Sequence, residues 1–99
     1  MARRYIDVLR ISAGSEDELF VHGISLEEVL EVRWDDPAFF RDKQVGRALM
    51  IGRTDGGRLL TVVLEETKQP YTWDVVTGWQ STKGETTQWR KARPRMSRR

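Results

Sequence analysis

The sequence predicts a single small α+β domain, in which an antiparallel sheet of three to five strands packs against helices. Three observations predict this class: a helix with a full set of start signals, a glycine turn joining two apolar strands, and a further alternating strand directly after them. At 99 residues the chain has the length of one domain. Hydrophobic residues make up 38% and charged residues 32%, which is a globular composition, so we expect the chain to fold.

The first two predicted elements are a strand and a short helix. Residues 5–11 are rich in β-branched and aromatic side chains and end at Ala13-Gly14, a pattern that predicts a strand closed by a turn. Ser15 then introduces three acidic residues, which favour the positive end of a helix dipole. Only one or two helical turns fit between Ser15 and Gly23.

The second helix has the clearest local signals in the chain. Ser25 and Glu28 have the spacing of a capping box, in which each side chain accepts a hydrogen bond from the backbone of the other. Ile24 and Val29 occupy the two positions of a hydrophobic staple. We therefore predict a helix over residues 26–34.

A run of antiparallel strands follows. Residues 38–41 form a predicted short strand, and residues 48–54 and 59–64 form two longer strands joined by the turn Asp55-Gly56-Gly57. Residues 59–64 are apolar on both faces, which places them in the centre of the sheet. Residues 71–79 alternate in polarity and predict a further strand of the same meander.

The last element is a predicted helix. Residues 82–92 begin with capping-type side chains followed by Glu85, and Pro94 disfavours further helix. The predicted order is strand, helix, helix, three or four antiparallel strands, helix. We expect one domain over residues 1–93 and a basic tail over residues 94–99.

Charge divides the chain into an acidic body and a basic end. All fifteen acidic residues lie within residues 1–89, where eleven Lys and Arg accompany them. Six basic residues fall within the last ten: Arg90, Lys91, Arg93, Arg95, Arg98 and Arg99. A basic end attracts phosphate backbones by counterion release, and it can also fold against an acidic body or partner.

Several function classes are excluded by what the sequence lacks. Without cysteine there is no disulfide and no thiolate metal site, so we expect the cytoplasm. We find no signal peptide and no apolar segment long enough to span a membrane. One histidine and scattered acids give no metal-ligand spacing, and no phosphate-binding glycine loop or nucleophile elbow occurs. We therefore predict no metal and no cofactor.

Antiparallel geometry brings several cationic residues to one end of the predicted sheet. Arg53 ends one strand, Arg58 begins its neighbour across the glycine turn, and Trp79 ends the strand on the other side. Lys83 lies in the first turn of the final helix, which starts from the same end. Guanidinium groups, an ammonium and a large ring suit a phosphate flanked by a stacked base. The alternative is that the arginines are merely solvated and that Trp79 belongs to the core.

Three residues near the junction of the two predicted helices could move a proton. His22 is the only histidine, and its unperturbed pKa lies near neutrality. It could act as an acid or a base in catalysis. The alternative is that it lies at a helix end and only hydrogen-bonds carbonyl groups. Glu27 and Glu28 are carboxylates of the same segment, although Glu28 is expected to act as the capping partner.

Three segments together resemble the BrnT family of toxins. The resemblance covers about residues 21–64 and consists of His22-Gly23-Ile24-Ser25-Leu26-Glu27-Glu28-Val29, Asp35-Asp36-Pro37 and Ile51-Gly52-Arg53-Thr54-Asp55-Gly56-Gly57-Arg58-Leu59-Leu60. It implies a RelE-like fold of order β-α-α-β-β-β-α and a ribonuclease that cleaves RNA without a metal and arrests translation. It also implies a DNA-binding antitoxin, expected to be a ribbon-helix-helix protein, and a homodimer or a toxin–antitoxin heterotetramer.

The resemblance assigns roles to the candidate residues. His22 or Glu27 would take the proton of a ribose 2′-hydroxyl, while Arg53 and Arg58 would stabilise the pentacovalent phosphate. The predicted RNA contacts are Trp79, Lys83, Arg90 and Lys91.

The chain departs from the family pattern at the end of its last strand. Trp79 stands where the family has an arginine, and the loss of one transition-state donor typically costs about 100- to 1000-fold in rate. The rival hypothesis is therefore a catalytically silent domain that binds an antitoxin or nucleic acid.

Overall fold

The computed structural model describes the backbone of residues 6–97 and the side chains of residues 6–92. Within this part the chain forms five strands and three helices, and the α+β class is confirmed. Their bounds are β1 (Val8–Arg10), α1 (Ala13–Val21), α2 (Leu26–Arg33), β2 (Ala38–Arg41), β3 (Arg47–Arg53), β4 (Leu59–Glu66), β5 (Thr72–Gln80) and α3 (Lys83–Ser97). Tyr5, with which the first strand was predicted to begin, lies outside the described residues, as do Arg98 and Arg99.

The sheet has the strand order β1-β5-β4-β3-β2. Strands β2 to β5 form the predicted antiparallel meander. β1 joins its far edge by pairing with β5 in parallel, with Leu9 opposite Trp73. This parallel pair was not predicted. Parallel neighbours need a long crossover connection, and most of the chain lies between β1 and β5 and provides one.

The prediction of a turn at Ala13-Gly14 is wrong, because both residues lie in the first turn of α1. Ser12 is the N-cap of this helix, and its hydroxyl accepts a hydrogen bond from the backbone N–H of Ser15. The helix therefore starts before Ser15, the predicted first residue. Serine is a strong N-cap in either position, so the sequence left the choice open.

Helices α1 and α2 cover one face of the sheet. Leu19 of α1 and Val29 of α2 are fully buried there against the central strands. Gly78 of β5 permits the close approach of α1, because a Cβ atom at this position would lie 3.2 Å from Leu19 Cδ2 and 3.0 Å from the Thr61 carbonyl oxygen. β4 has helices on both sides and is buried over residues 60–64, as predicted for the central strand.

Helix α3 covers part of the opposite face. Trp89 packs with Ala38 of β2 and Ile51 of β3. The helix continues to Ser97, so the predicted end near Ala92 is wrong. Pro94 lacks an N–H donor, so the helix continues past it without the hydrogen bond that this position would otherwise donate.

A row of charges crosses four strands at the end of the sheet that is remote from the β3–β4 turn. Arg10, Asp74, Glu65 and Arg47 are consecutive cross-strand neighbours. Arg10 Nε lies 2.8 Å from Asp74 Oδ1, and the carboxylate raises the pKa of this arginine. Arg47 Nε lies 3.4 Å from Glu65 Oε2. The flanking arginines thus offset the repulsion between two directly opposed carboxylates.

Candidate functional site

The β3–β4 hairpin and the start of α3 meet at one end of the sheet. Arg53 and Arg58 flank the hairpin turn, in which Gly57 adopts a φ of 92°. The backbone N–H of Ser81 donates to the Leu59 carbonyl oxygen over 2.9 Å, which fixes the approach to α3 beside this hairpin. The backbone segments therefore converge as antiparallel geometry predicted.

The side chain of Arg58 lies on the α1–α2 face. Its Nη1 donates to Glu28 Oε2 over 3.0 Å and to the Gly23 carbonyl oxygen over 3.1 Å. Glu28 also completes the capping box of α2, since its Oε1 accepts from the N–H of the N-cap residue Ser25. The predicted capping box is thus confirmed, and it places a carboxylate where it orients Arg58.

His22 and Glu27 flank the same connection, residues 22–25, called here the α1–α2 turn. His22 is the C-cap of α1, and its Nε2 lies 3.4 Å from Glu18 Oε2. Its side chain is 40% exposed, so it is accessible. Glu27 is exposed in the first turn of α2 and forms no ion pair with the described residues. Of the four predicted catalytic residues, His22 therefore belongs to this turn, Arg58 contacts its Gly23 carbonyl, and Glu27 lies in the helical turn that follows it.

Arg53 contacts different elements. Its guanidinium lies 5.5 Å from the centre of the Trp89 ring of α3, and its Nε lies 3.6 Å from Asp35 Oδ2. Arg53 is opposite Leu59 in the β3–β4 pair, so Arg58, one residue earlier, projects to the other face. The expectation that the two guanidinium groups meet is therefore wrong.

Two of the three predicted RNA contacts on α3 line one depression, called here the α3 groove. Lys83 and Arg90 line it together with Ser81, Thr86 and Thr87, and its volume is about 390 Å³. Seven residues are close to two helical turns, so Lys83 and Arg90 lie on one side of the helix. Both cations are exposed, as is Lys91, and none of the three forms an ion pair with the described residues. Their charge is available to an anion.

A carboxylate that sequence reasoning did not assign lies at the base of α3. Glu85 Oε1 accepts hydrogen bonds from Thr61 Oγ1, Trp79 Nε1 and the Thr82 N–H over 2.9, 3.0 and 2.9 Å. Because Thr61 donates its only proton to Glu85, the Ser81 hydroxyl 2.8 Å away must donate to Thr61. This Glu85 network anchors the first turn of α3 to β4 and β5.

Two signals in the sequence pointed to this network. Thr82 and Glu85 have capping-box spacing, and Thr61 is a lone hydroxyl within the apolar run of β4, where it is fully buried. Trp79 is half-buried and its N–H is used by Glu85, so the indole helps to position the helix. Its role as a stacking surface for a base stays a prediction.

No group of three or more His, Cys, Asp or Glu side chains in the described part of the chain is arranged to hold a metal ion. No helix within the same residues combines the length and the apolar character needed to cross a bilayer.

Comparison with known proteins gives a likeness of fold. No protein-family model matches the chain, and no curated protein matches it significantly in sequence. The structure is similar to the 1.1 Å crystal structure of the Brucella abortus ribonuclease toxin BrnT, with a TM-score of 0.56 and 13% sequence identity. The similarity covers 78% of this chain and 100% of the toxin chain. The chain therefore shares its α+β fold with this toxin, and the likeness is one of fold alone.

Proposed function

We propose that this protein is the toxin of a toxin–antitoxin pair and acts as a metal-independent endoribonuclease that inhibits translation in the cytoplasm. The observation that carries the proposal is the α3 groove, in which Lys83 and Arg90 are exposed and form no ion pair with any residue of the described part of the chain. The fold that carries this groove is shared with a ribonuclease toxin. Such cations attract a phosphate backbone whatever its base sequence. RNA binding is thus the first step of the proposed activity.

Within the α3 groove the cations are the donors for phosphate. The hydroxyls of Thr86 and Thr87 donate to the backbone carbonyls of Thr82 and Lys83, over 2.8 and 3.0 Å. They can therefore only accept hydrogen bonds in this arrangement. Phosphate affinity should depend on Lys83 and Arg90, with Lys91 extending the positive surface.

The α1–α2 turn supplies the proposed chemistry. His22 or Glu27 takes the proton of a ribose 2′-hydroxyl, and the 2′-oxygen attacks the adjacent phosphorus while the bond to the 5′-oxygen breaks. The 5′-oxygen leaves as a hydroxyl after taking a proton from the protonated base or from water, and the other product is a 2′,3′-cyclic phosphate. Arg58 uses only Nη1 in its contacts with Glu28 and the Gly23 carbonyl, so its Nε and Nη2 protons remain to stabilise the negative charge that develops. An RNA strand that crosses the hairpin end of the sheet would contact both this turn and the α3 groove.

The test is cleavage of a labelled single-stranded transcript by purified protein in EDTA. We expect cleavage that falls about 100- to 1000-fold in Arg58→Ala. Replacing both Lys83 and Arg90 by alanine should weaken RNA binding and lower its salt slope by about 0.7 for each lost cation. Lys68→Ala, at an exposed lysine between β4 and β5, is the matched control and should change neither. Intact RNA under these conditions would contradict the proposed ribonuclease activity.

A second function is favoured by the ion pairs of the two arginines. Arg58 is paired with Glu28 and Arg53 with Asp35, while Trp79 stands where the family has an arginine. A silent domain that binds an antitoxin or nucleic acid would have this arrangement. It predicts RNA binding without cleavage, and expression without growth arrest.

A further inference from the structure

Charge is segregated between the two helical layers. Residues 12–37, which contain α1 and α2, include eight carboxylates, one arginine and one histidine. Residues 81–92 of the opposite layer include three basic residues and the single acid Glu85. The layers cover opposite faces of the sheet. A polyanion is therefore attracted more strongly to α3 than to the α1–α2 layer.

The α1–α2 layer also has most of the exposed apolar surface. Seven large hydrophobic side chains are exposed among the described residues, and four belong to α1, α2 or the cap of α2: Phe20, Val21, Leu30 and Trp34. None lies within residues 81–92. Trp34 is 74% exposed, and the Arg33 guanidinium lies 4.6 Å from its ring centre. Aromatic side chains in this setting are typical anchors of protein interfaces.

Acidic groups surround these anchors on α2. Leu30 and Trp34 are four residues apart, and Glu27 and Glu31 have the spacing that places them on the same stripe. Glu27 forms no ion pair with the described residues, and the Glu31 carboxylate accepts from the Asp55 N–H. An occupant of this stripe therefore needs apolar side chains for Leu30 and Trp34 and cations for the carboxylates.

We propose that the α1–α2 layer docks a basic protein segment that carries apolar side chains, supplied by the antitoxin. The inference rests on the proposed function for the identity of that partner, and it adds the surface and the chemistry of recognition. A protein segment is favoured over nucleic acid because the layer is acidic and apolar, whereas the α3 groove is basic and polar.

Docking at this layer has a consequence for activity. Phe20 and Val21 directly precede His22, so a segment that covers them also covers the α1–α2 turn. The partner would then block access of RNA to His22 and Glu27 without touching the α3 groove. The complex would keep Lys83 and Arg90 available for nucleic acid.

The test is co-purification with the protein encoded by the adjacent reading frame, followed by measurement of the Kd. The double variant Leu30→Ser with Trp34→Ser should weaken binding by about 100-fold, because aromatic anchors dominate such interfaces. Both side chains are exposed, so thermal melting should show an intact fold. Val45→Ser is the matched control, since Val45 is 95% exposed between β2 and β3 and lies outside the layer.

Replacing Lys83 and Arg90 by alanine should leave this Kd unchanged, and raising the salt concentration should increase it. The inference is overturned if the Leu30/Trp34 variant binds like the wild type, or if the Lys83/Arg90 variant loses the partner instead. If the wild-type proteins form no complex, the proposed pairing fails as well. Cleavage of RNA would still be decided separately by the transcript assay.

Discussion

The replacement of Glu85 by alanine removes the carboxylate that joins the first turn of α3 to the sheet. The lost hydrogen bond to the Thr82 N–H is a helix cap, worth about 1 kcal/mol. Those from Thr61 Oγ1 and Trp79 Nε1 go to a charged acceptor that is half-buried, so we take about 1 kcal/mol for each. We expect a loss of about 3 kcal/mol in the free energy of unfolding. In a chain of this length each kcal/mol lowers Tm by about 4–8 °C, so the melting point should fall by about 12–24 °C.

Thermal and urea unfolding followed by circular dichroism measure this loss. Glu85→Gln keeps an acceptor oxygen of the same reach and should cost about 1 kcal/mol. Glu66→Ala removes an exposed carboxylate at the end of β4 that makes no ion pair with the described residues, and it should change Tm little. A Glu85→Ala protein that melts within about 2 °C of the wild type would refute the anchoring role of the network.

Two further predictions concern two glycines and the N-cap serine of α2. Gly78→Ala should destabilise the protein by about 1–3 kcal/mol, because the new methyl group would lie 3.0 Å from the Thr61 carbonyl oxygen. Gly84→Ala in α3 meets no atom closer than 4.0 Å and should stabilise the protein by up to about 1 kcal/mol. Equal shifts of the two variants in urea midpoint would contradict this. Ser25→Ala should cost about 1 kcal/mol through loss of the α2 cap, and Ser25→Asp, which can still accept from the Glu28 N–H, should recover most of it in the same measurement.

Most elements could be predicted because their signals are local. The capping box of α2 and the glycine turn of the β3–β4 hairpin each fit within a few residues and appear where expected. The start of α1 was misplaced because Ser12 and Ser15 are equally good caps on local grounds. The parallel pairing of β1 was missed because its partner β5 lies about 64 residues further along the chain. A pattern within a short stretch of sequence does not indicate such a distant partner.

The convergence of the candidate segments was predicted from the sequence, whereas the directions of their side chains were not. Antiparallel connectivity alone brings Arg53, Arg58 and the start of α3 to one end of the sheet. The contact of Arg58 with Glu28 joins residues 30 apart and exists only once α2 has packed on the sheet. The opposed directions of Arg53 and Arg58 follow from strand alternation, which a pattern of residue types at one edge does not resolve.

The pairing of β1 with β5 also determines when the nascent chain can complete its sheet on the ribosome. Arg10 and its partner Asp74 are 64 residues apart, so the first strand to be synthesised is the last to find its neighbour. At an elongation rate of about 5–20 residues per second this wait lasts several seconds. β1 has only three residues, and Arg10 adds a charge that disfavours adhesion to a foreign edge strand in the meantime. In newly made chains we therefore expect β1 to join the sheet last, after the hairpins of the meander have formed.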